Sequence, residues 1–325
     1  MALDPQAQAL LAAFAGMPAL DFTQLTAPAY RAILAAGGGF APGDPVAAEE
    51  DLLIPTANGS IAARVYRPVI DGSDGGDGNA LLPLTVFFHG GGFVSCGLDT
   101  HANMCRCLAQ RAQTVVLSVD YRLAPEAHFP AAVHDALDAV RWAADNSADL
   151  RVQPGALAVA GDSAGGNLAA VAAQQLRHGD VTIAHQLLLY PVVDCATEHP
   201  SYESKGDGYF LSADQMRWFK DQYFGPAADH AQRADPLASP LAAGDLRGVA
   251  SATIISAEYD PLHDEAEHYA ARLAHAGVLT THVRWPGQIH GFASLLGVLD
   301  AADHALTTAA HALRHALHVE PFRLR

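Results

Sequence analysis

Residues 156–167 read Ala156-Leu-Ala-Val-Ala-Gly-Asp-Ser-Ala-Gly-Gly-Asn167, an apolar run followed by a serine between glycines. The apolar run predicts a buried strand, and the alanine-rich residues 168–176 predict a helix directly after it. Gly161 and Gly165 flank Ser163 at G-x-S-x-G spacing, because a strand that reverses into a helix within three residues leaves no room for a Cβ at either neighbour. Such a turn presents the serine hydroxyl at the carboxyl edge of a sheet. The spacing also occurs by chance, so the interpretation depends on the rest of the chain.

The composition is typical of a globular protein with a sizeable core, since 50% of the 325 residues are hydrophobic and 17% are charged. The formal net charge of −16 argues against nucleic acids and anionic membranes as partners, because both would be repelled. A small neutral substrate is easier to accommodate. No apolar run reaches the length of a membrane span and no basic segment precedes the first apolar residues, so a cytoplasmic protein is expected.

The sequence predicts neither a metal site nor a cofactor. Free thiols are expected, because no C-x-x-C pair or zinc-like spacing occurs among Cys96, Cys105, Cys107 and Cys195. On the last predicted helix, His311 and His315 could bind a metal, but they fall opposite the leucine stripe and are expected to face solvent. Residues 71–79 resemble a calcium loop, yet Leu82 occupies the twelfth position, where such a loop carries a glutamate. A surface loop is predicted there.

The chain begins with helical patterns at residues 5–14 and 27–34, before any strand signal. Residues 1–45 are therefore predicted to form N-terminal cap helices that pack on a later core. Asn58-Gly59 is a strong hairpin signal between two strand-like segments, 50–55 and 60–66. This pattern predicts an antiparallel strand pair at the edge of a sheet.

Short apolar strands then alternate with helical patterns. Strand candidates are 84–88, 114–119, 156–160, 186–190, 252–256 and 281–285. Helix candidates lie near 101–112, 130–145, 164–178, 263–276 and 300–318. Strands of this type are buried on both faces of a parallel sheet, and the intervening helices imply right-handed crossovers. The predicted fold class is α/β, with a mostly parallel central sheet and helices on both faces.

The alternation fails between about 195 and 240, where aromatic residues crowd together without a strand signal. The aromatic residues are Tyr202, Tyr209, Phe210, Trp218, Phe219, Tyr223 and Phe224. We predict a helical cap insertion at 195–237 over the carboxyl ends of the strands, and a core formed by 46–194 and 238–325. The aromatic side chains are expected to line a pocket or to pack the cap onto the body, and the two roles are compatible.

A nucleophilic serine needs a base, a group that orients the base, and donors for an oxyanion. His89-Gly-Gly-Gly92 follows the strand candidate at 84–88, and its glycines would let backbone N–H groups approach a substrate carbonyl. The Ala164 N–H, next to the serine, would complete the set. The alternative interpretation of the glycine run alone is a flexible turn.

H-G-G-G before G-D-S-A-G in consecutive βα units resembles the hormone-sensitive-lipase-like carboxylesterases (bacterial family IV) of the α/β-hydrolase superfamily. The resemblance runs from about 84 to 293 and rests on five motifs in the expected order. The motifs are His89-Gly-Gly-Gly-Phe93, Asp120-Tyr-Arg-Leu-Ala-Pro-Glu126, Gly161-Asp-Ser-Ala-Gly-Gly166, Tyr259-Asp-Pro-Leu-His-Asp264 and His290-Gly-Phe292. The resemblance implies an α/β-hydrolase fold with a helical cap and the triad order Ser, acid, His.

The resemblance implies Asp260 as the acid, because it matches the family's D-P-L. Glu258 and Asp264 are close enough in sequence to remain alternatives. It implies His290 as the base, because this residue matches the H-G-F motif on a loop after the strand at 281–285. Ser163 is then the nucleophile.

The remaining motif residues are expected to build and support the oxyanion site. Gly91, Gly92 and Ala164 would supply the N–H groups, while His89 and Gly90 support the glycine loop without proton transfer. Arg122 and Glu126 are expected to form a structural brace.

The implied activity is that of a serine carboxylesterase, which hydrolyses short- to medium-chain acyl esters through an acyl-enzyme. An amidase or carbamate hydrolase with the same triad is an alternative. A non-catalytic small-molecule receptor on the same fold is another, although a receptor need not keep the base. A homodimer through an edge strand or the last helix is also considered.

Overall fold

An eight-stranded sheet forms the centre of the structure, a computed structural model that describes residues 2–16, 20–37, 41–70 and 81–318. The strands are β1 (Ala48–Thr56), β2 (Gly59–Arg67), β3 (Leu82–Phe88), β4 (Val115–Asp120), β5 (Val152–Asp162), β6 (His185–Leu189), β7 (Ser251–Tyr259) and β8 (Thr280–Ile289). Their order in the sheet is β1-β2-β4-β3-β5-β6-β7-β8. The predicted surface loop at 71–79 lies outside the described residues.

Helices connect and flank the strands. They are α1 (Pro5–Ala15), α2 (Ala27–Ala36), α3 (Ala102–Ala112), α4 (Ala131–Asp145), α5 (Ala164–Gln175), α6 (Pro200–Lys205), α7 (Ala213–Phe224), α8 (His230–Arg233), α9 (His263–His275) and α10 (Asp300–His318). Short 3₁₀ turns occur at Pro240–Ala242 and Phe292–Ser294. Every helix and strand candidate of the sequence analysis corresponds to one of these elements.

Local capping chemistry explains where several helices begin. The Asp4 side chain accepts hydrogen bonds from the first N–H groups of α1, and Pro5 occupies its first position. Thr26 caps α2 in the same way, and Ser212 caps α7. Because these side chains satisfy donors that have no partner within the helix, the starting points are encoded in the sequence itself.

The hairpin and the parallel sheet are both confirmed. β1 and β2 pair antiparallel around Asn58-Gly59, and β2 pairs antiparallel with β4. From β4 across to β8, each neighbouring pair is parallel. Parallel neighbours need long crossover connections, which the helices between the strands provide. The carboxyl ends of these strands therefore share one edge of the sheet.

Side chains alternate between two hydrophobic layers, one on each face of the sheet. On β3, Val86 and Phe88 belong to one cluster of buried residues, whereas Phe87 belongs to the other. Buried residues of α4, α5 and α9 pack in the first cluster, and those of α3 and α10 pack in the second. Coverage on both faces is the reason why the strands read as continuous apolar runs.

Two strands extend beyond their predicted limits. β5 begins at Val152 rather than 156, and β8 continues to Ile289 rather than 285. In each case the pairing register with the neighbouring strand shifts. The shift lies between Leu82 and Leu84 of β3, which pairs with β5, and between Ala257 and Tyr259 of β7, which pairs with β8. These irregular parts contain proline, glycine and polar residues. Apolar periodicity does not detect such residues, so the predicted strands were too short.

The segment 195–240 contains α6, α7 and α8, and no strand, as predicted. It contacts the N-terminal helical region through aromatic rings. The Trp218 ring lies 5.3 Å from the Tyr30 ring and 5.9 Å from the Phe22 ring, measured between centroids. The two regions that were predicted to form a cap therefore pack against each other.

The histidines of α10 face solvent, as the periodicity predicted. His304, His311, His315 and His318 are exposed, whereas Leu306, Leu313 and Leu317 are buried. Within the described part of the chain, no helix is both long enough and apolar enough to span a lipid bilayer.

Candidate active site

Ser163 occupies the turn between β5 and α5 with a positive φ of 52°, a conformation that residues other than glycine rarely adopt. A Cβ added to Gly161 would overlap the carbonyl oxygen of Gly165, and one added to Gly165 would overlap that of Phe88. The steric reason for the two glycines is thus confirmed. The Ser163 N–H donates to the Leu189 carbonyl at 2.8 Å, which holds the turn against β6.

His290 connects Ser163 to a buried carboxylate. Its Nε2 lies 2.9 Å from Ser163 Oγ, and its Nδ1 lies 2.7 Å from Asp260 Oδ2. His290 is 7% exposed and Asp260 is 1% exposed. The other carboxylate oxygen of Asp260 accepts the Leu262 N–H at 2.8 Å, which orients the acid. With Nδ1–H donated to Asp260, Nε2 is left to accept the serine proton.

The two alternative acids engage other groups. Asp264 accepts the Ser201 N–H at 2.8 Å, and Glu258 accepts the Gly287 N–H at 2.8 Å. Asp260 is thus the member of the three that hydrogen-bonds to His290.

The glycine loop after β3 carries backbone donors with no protein acceptor. Gly91 and Gly92 have φ values of 110° and 63°, which favour glycine. Within the four described stretches, no residue accepts a hydrogen bond from the N–H of Gly91, Gly92 or Ala164. The Ala164 N–H is unpaired because it begins α5, where the first N–H groups have no partner within the helix. Unpaired donors of this kind are suited to stabilising an oxyanion.

Asp162 joins the serine turn to the glycine loop. Its Oδ1 accepts the Gly90 N–H at 2.8 Å and lies 3.1 Å from His101 Nε2. Burial raises the pKa of Asp162, but attraction to His101 and hydrogen bonds from His101 and Gly90 outweigh it, so the pKa is below its ordinary value. Asp162 is therefore an anion at neutral pH. Sequence reasoning assigned no role to Asp162 or His101, because nothing local indicates a contact with Gly90.

The His89 ring is held in place by contacts at the start of the glycine loop. Its ring stacks on Tyr121 with centroids 4.3 Å apart, and its Nδ1 donates to the Gly90 carbonyl at 2.7 Å. The Tyr121 hydroxyl donates to the His89 carbonyl at 2.7 Å. Burial lowers the pKa of His89 to about 3, and repulsion from nearby His101 is the second cause. The ring is therefore neutral at pH 7.

Arg122 and Glu126 form the structural contacts that were expected of them. Arg122 pairs with the fully buried carboxylate of Asp135 at 2.7 Å. Glu126 pairs with Arg31 of α2 at 2.7 Å, and Arg31 also donates to the carbonyl of Val94, just after the glycine loop. The contacts of Arg31 tie the N-terminal region to the core, whereas the Arg122–Asp135 pair lies within the core.

A family profile described as alpha/beta hydrolase fold matches residues 85–294. The chain belongs to the alpha/beta hydrolase family. The expected fold and the family resemblance are both confirmed.

Several relatives of this alpha/beta hydrolase are named as ester hydrolases. The chain is 40% identical over 270 residues to an ethyl acetate hydrolase from Pseudomonas putida, with 82% of each chain covered. It is 40% identical over 261 residues to the carboxylesterase NlhH of Mycobacterium tuberculosis, with 79% of each covered. Among solved structures, a hyperthermophilic esterase from the archaeon Pyrobaculum calidifontis superimposes with a TM-score of 0.87 at 39% identity. The match covers 97% of this chain and 99% of that one.

Most aromatic residues of the 195–240 segment serve as packing. Tyr202, Trp218, Phe219, Tyr223 and Phe224 are buried. A Cβ added to Gly92 would overlap the Phe219 ring, so Phe219 lies directly on the glycine loop. Phe93, which follows that loop, stacks on Tyr223 with ring centroids 3.9 Å apart. The buried rings of this alpha/beta hydrolase therefore pack the segment onto the body, which is one of the two predicted roles. Phe210 remains substantially exposed.

Two sets of side chains have chemistry that suits metal binding, the cysteines and a cluster on α9. The four cysteines are free thiols, as expected. Across the described residues, the donor atoms of His263, Asp264 and Glu267 at the start of α9 come within 4.8 Å of one another. Asp264 already accepts the Ser201 N–H there.

Proposed function

We propose that the protein is a serine carboxylesterase with Ser163 as nucleophile, His290 as general base and Asp260 as the orienting acid. The observation that carries this proposal is the continuous hydrogen-bonded chain from Asp260 through His290 to Ser163, at 2.7 and 2.9 Å. Serine is a weak nucleophile at neutral pH and needs such a base. The names of the ethyl acetate hydrolase, the carboxylesterase and the esterase among the relatives support ester substrates.

In the first half-reaction, Ser163 Oγ attacks the ester carbonyl carbon while its proton passes to His290 Nε2. The negative charge that develops on the carbonyl oxygen is stabilised by the N–H groups of Gly91, Gly92 and Ala164. The tetrahedral intermediate then breaks its bond to the alcohol oxygen, which takes the proton from His290. An acyl-enzyme on Ser163 and a free alcohol result.

Water completes the reaction by the same route. His290 removes a proton from water as the water oxygen attacks the acyl carbon, and the same N–H groups stabilise the second oxyanion. The proton returns to Ser163 Oγ as the bond to serine breaks, which releases the carboxylic acid. Throughout the cycle Asp260 stays ionised and stabilises the transient imidazolium of His290.

We infer a preference for short- to medium-chain acyl esters. Residues 1–45 and 195–237 are proposed as a cap on a catalytic core formed by 46–194 and 238–325. The packing of Phe219 on Gly92 and of Tyr223 on Phe93 supports a restricted space above the glycine loop. The net charge of −16 also favours neutral small esters over anionic partners. A cytoplasmic location and a homodimer remain predictions.

Hydrolysis of p-nitrophenyl esters from acetate to palmitate tests the proposal. We expect the highest kcat/KM with short to medium chains. Ser163→Ala should lower turnover by about 10⁴-fold or more while leaving the thermal unfolding profile intact. Absence of ester turnover in a folded protein would overturn the proposal, and a maximum at palmitate would overturn the chain-length preference. Faster hydrolysis of the matching p-nitroanilide would indicate the amidase alternative.

A further inference from the structure

Two consecutive aromatic residues of the cap segment lie over the loops that carry the acid and the base. The Tyr209 ring is 4.9 Å from the ring of Tyr259, the residue before Asp260. Phe210 lies over Gly291, the residue after His290, because a Cβ added to that glycine would be 3.6 Å from the Phe210 ring. Tyr209 thus places its neighbour Phe210 over the residue that follows His290.

A second aromatic ring reaches the same place from α1. The centroid of Phe14 is 5.6 Å from that of Phe210. Helix α1 is held on the strand that leads to His290, because the Asp4 N–H donates to the Gly287 carbonyl at 2.9 Å. Gln6 accepts the Asp300 N–H at 2.9 Å, which ties α1 to α10 as well. Phe14 therefore supports Phe210 from an anchored helix.

The exposure of this pair differs from that of the other cap rings. Phe14 is 38% exposed and Phe210 is 42% exposed, whereas Trp218 and Phe219 are buried. Apolar surface on two adjacent rings stays in contact with water unless another apolar group covers it. Because Phe210 lies over Gly291, the residue after His290, an apolar part of a bound substrate can cover it.

The chemistry of the leaving group indicates which part of the ester is involved. His290 Nε2 must reach the alcohol oxygen to protonate it, so the alcohol part extends on the His290 side of the site. The acyl part remains bonded to Ser163 at that stage. We propose, on the basis of the proposed esterase function, that Phe210 supported by Phe14 is a specificity-determining residue that contacts the alcohol part of the ester and favours bulky apolar alcohols.

Two substrate series separate this role from a general effect. The first varies the alcohol in methyl, butyl, hexyl and benzyl acetate, and the second varies the acyl chain in p-nitrophenyl acetate, butyrate and octanoate. We expect Phe210→Ala to lower kcat/KM for hexyl and benzyl acetate about five- to tenfold relative to methyl acetate, since it removes a large apolar contact. The order of preference within the acyl series should stay unchanged. Phe14→Ala should act in the same direction with a smaller effect.

Two further variants complete the test. Phe210→Leu, which keeps an apolar side chain, should restore most of the preference for hexyl acetate. Leu53→Ala serves as the control, because Leu53 is exposed on β1, at the opposite edge of the sheet from β8. An equal loss for all alcohols, or a change confined to the acyl series, would overturn this inference alone. A wild-type protein that hydrolyses no ester would overturn the proposed function and this inference with it.

Discussion

The carboxylate of Asp162 accepts a hydrogen bond from the N–H of Gly90 at 2.8 Å, across 72 residues of sequence. The two residues meet because β3 and β5 are parallel neighbours, with Phe88 paired to Gly161. The loops that follow these strands therefore begin side by side. One contact thus couples the position of the proposed nucleophile to that of the proposed oxyanion donors.

Asp162→Asn should impair turnover more than substrate binding. Asparagine keeps an oxygen for the Gly90 N–H but loses the negative charge that faces His101. We expect kcat to fall by about tenfold, less than the 10²–10³ typical of a lost oxyanion donor, with little change in KM. Steady-state kinetics on p-nitrophenyl acetate measures this effect. Asp245→Asn, on an exposed carboxylate, is the control, and equal kcat values for the two variants would contradict the prediction.

Gly92→Ala should destabilise the protein more than Gly208→Ala. Both glycines have positive φ values, 63° and 78°, so both substitutions introduce backbone strain of about 1 kcal/mol. At Gly92 the new Cβ also overlaps the Phe219 ring, whereas nothing lies within 4 Å of a Cβ at Gly208. Overpacking adds about 1–3 kcal/mol.

Thermal unfolding and kcat together distinguish the two glycine variants. Gly92→Ala should lower Tm further and also lower kcat, because it displaces the loop that carries a proposed oxyanion donor. Gly208→Ala should retain kcat. The same loss of Tm in both variants would show that Phe219 yields to the added methyl group without cost.

Replacing the three acidic candidates in turn separates their roles. Asp260→Asn should lower kcat by about 10⁴-fold, because an amide next to His290 Nδ1 favours the wrong imidazole tautomer. Asp264→Asn should retain most activity, since its carboxylate accepts the Ser201 N–H and lies outside the hydrogen-bonded chain. Glu258→Gln should do the same. Kinetics on p-nitrophenyl acetate would contradict the assignment if Asp264→Asn caused the greatest loss.

Glu265→Gln should change how stability depends on pH. Glu265 is fully buried, and its Oε1 accepts the N–H groups of Val193 and Asp194 at 2.8 and 3.2 Å. Burial raises the pKa of Glu265 from 4.5 to about 8, although the charge of Lys220 opposes this. Between these two values the folded state binds more protons than the unfolded state, so this group lowers stability as pH rises from about 4.5 to about 8.

The glutamine variant keeps the accepting oxygen and removes the titration. Its Tm should therefore rise relative to that of the wild type as pH increases from 5 to 8, with no further relative change above about 8. Thermal unfolding across this range measures the difference. Parallel Tm curves for the two proteins would show that Glu265 does not titrate in this window.

Elements defined by local pattern were predictable. The hairpin at Asn58-Gly59 and the start of α10 agree with the structure because turn propensity and helical periodicity act over a few residues. The ends of β5 and β8 were less predictable. There, shifts in pairing register allow polar residues and glycine to remain in the strand. Such shifts depend on the neighbouring strand.

The candidate site shows the same division between local and long-range information. Motif matches singled out Ser163 and His290 and favoured Asp260 as the acid, but spacing alone left Glu258 and Asp264 as alternatives. The fold places Asp260 against His290, since the loops after β7 and β8 lie side by side in a parallel sheet.

From its motifs alone, the chain could be recognised as an α/β-hydrolase, because each motif is a short segment whose glycines, serine or histidine have a local steric or chemical reason. The contacts between segments required the folded chain. Asp162 meets Gly90, and Phe14 meets Phe210, only because strand order and helix packing bring distant residues within a few ångströms. Such proximity depends on the packing of the whole sheet, which no stretch of a dozen residues encodes.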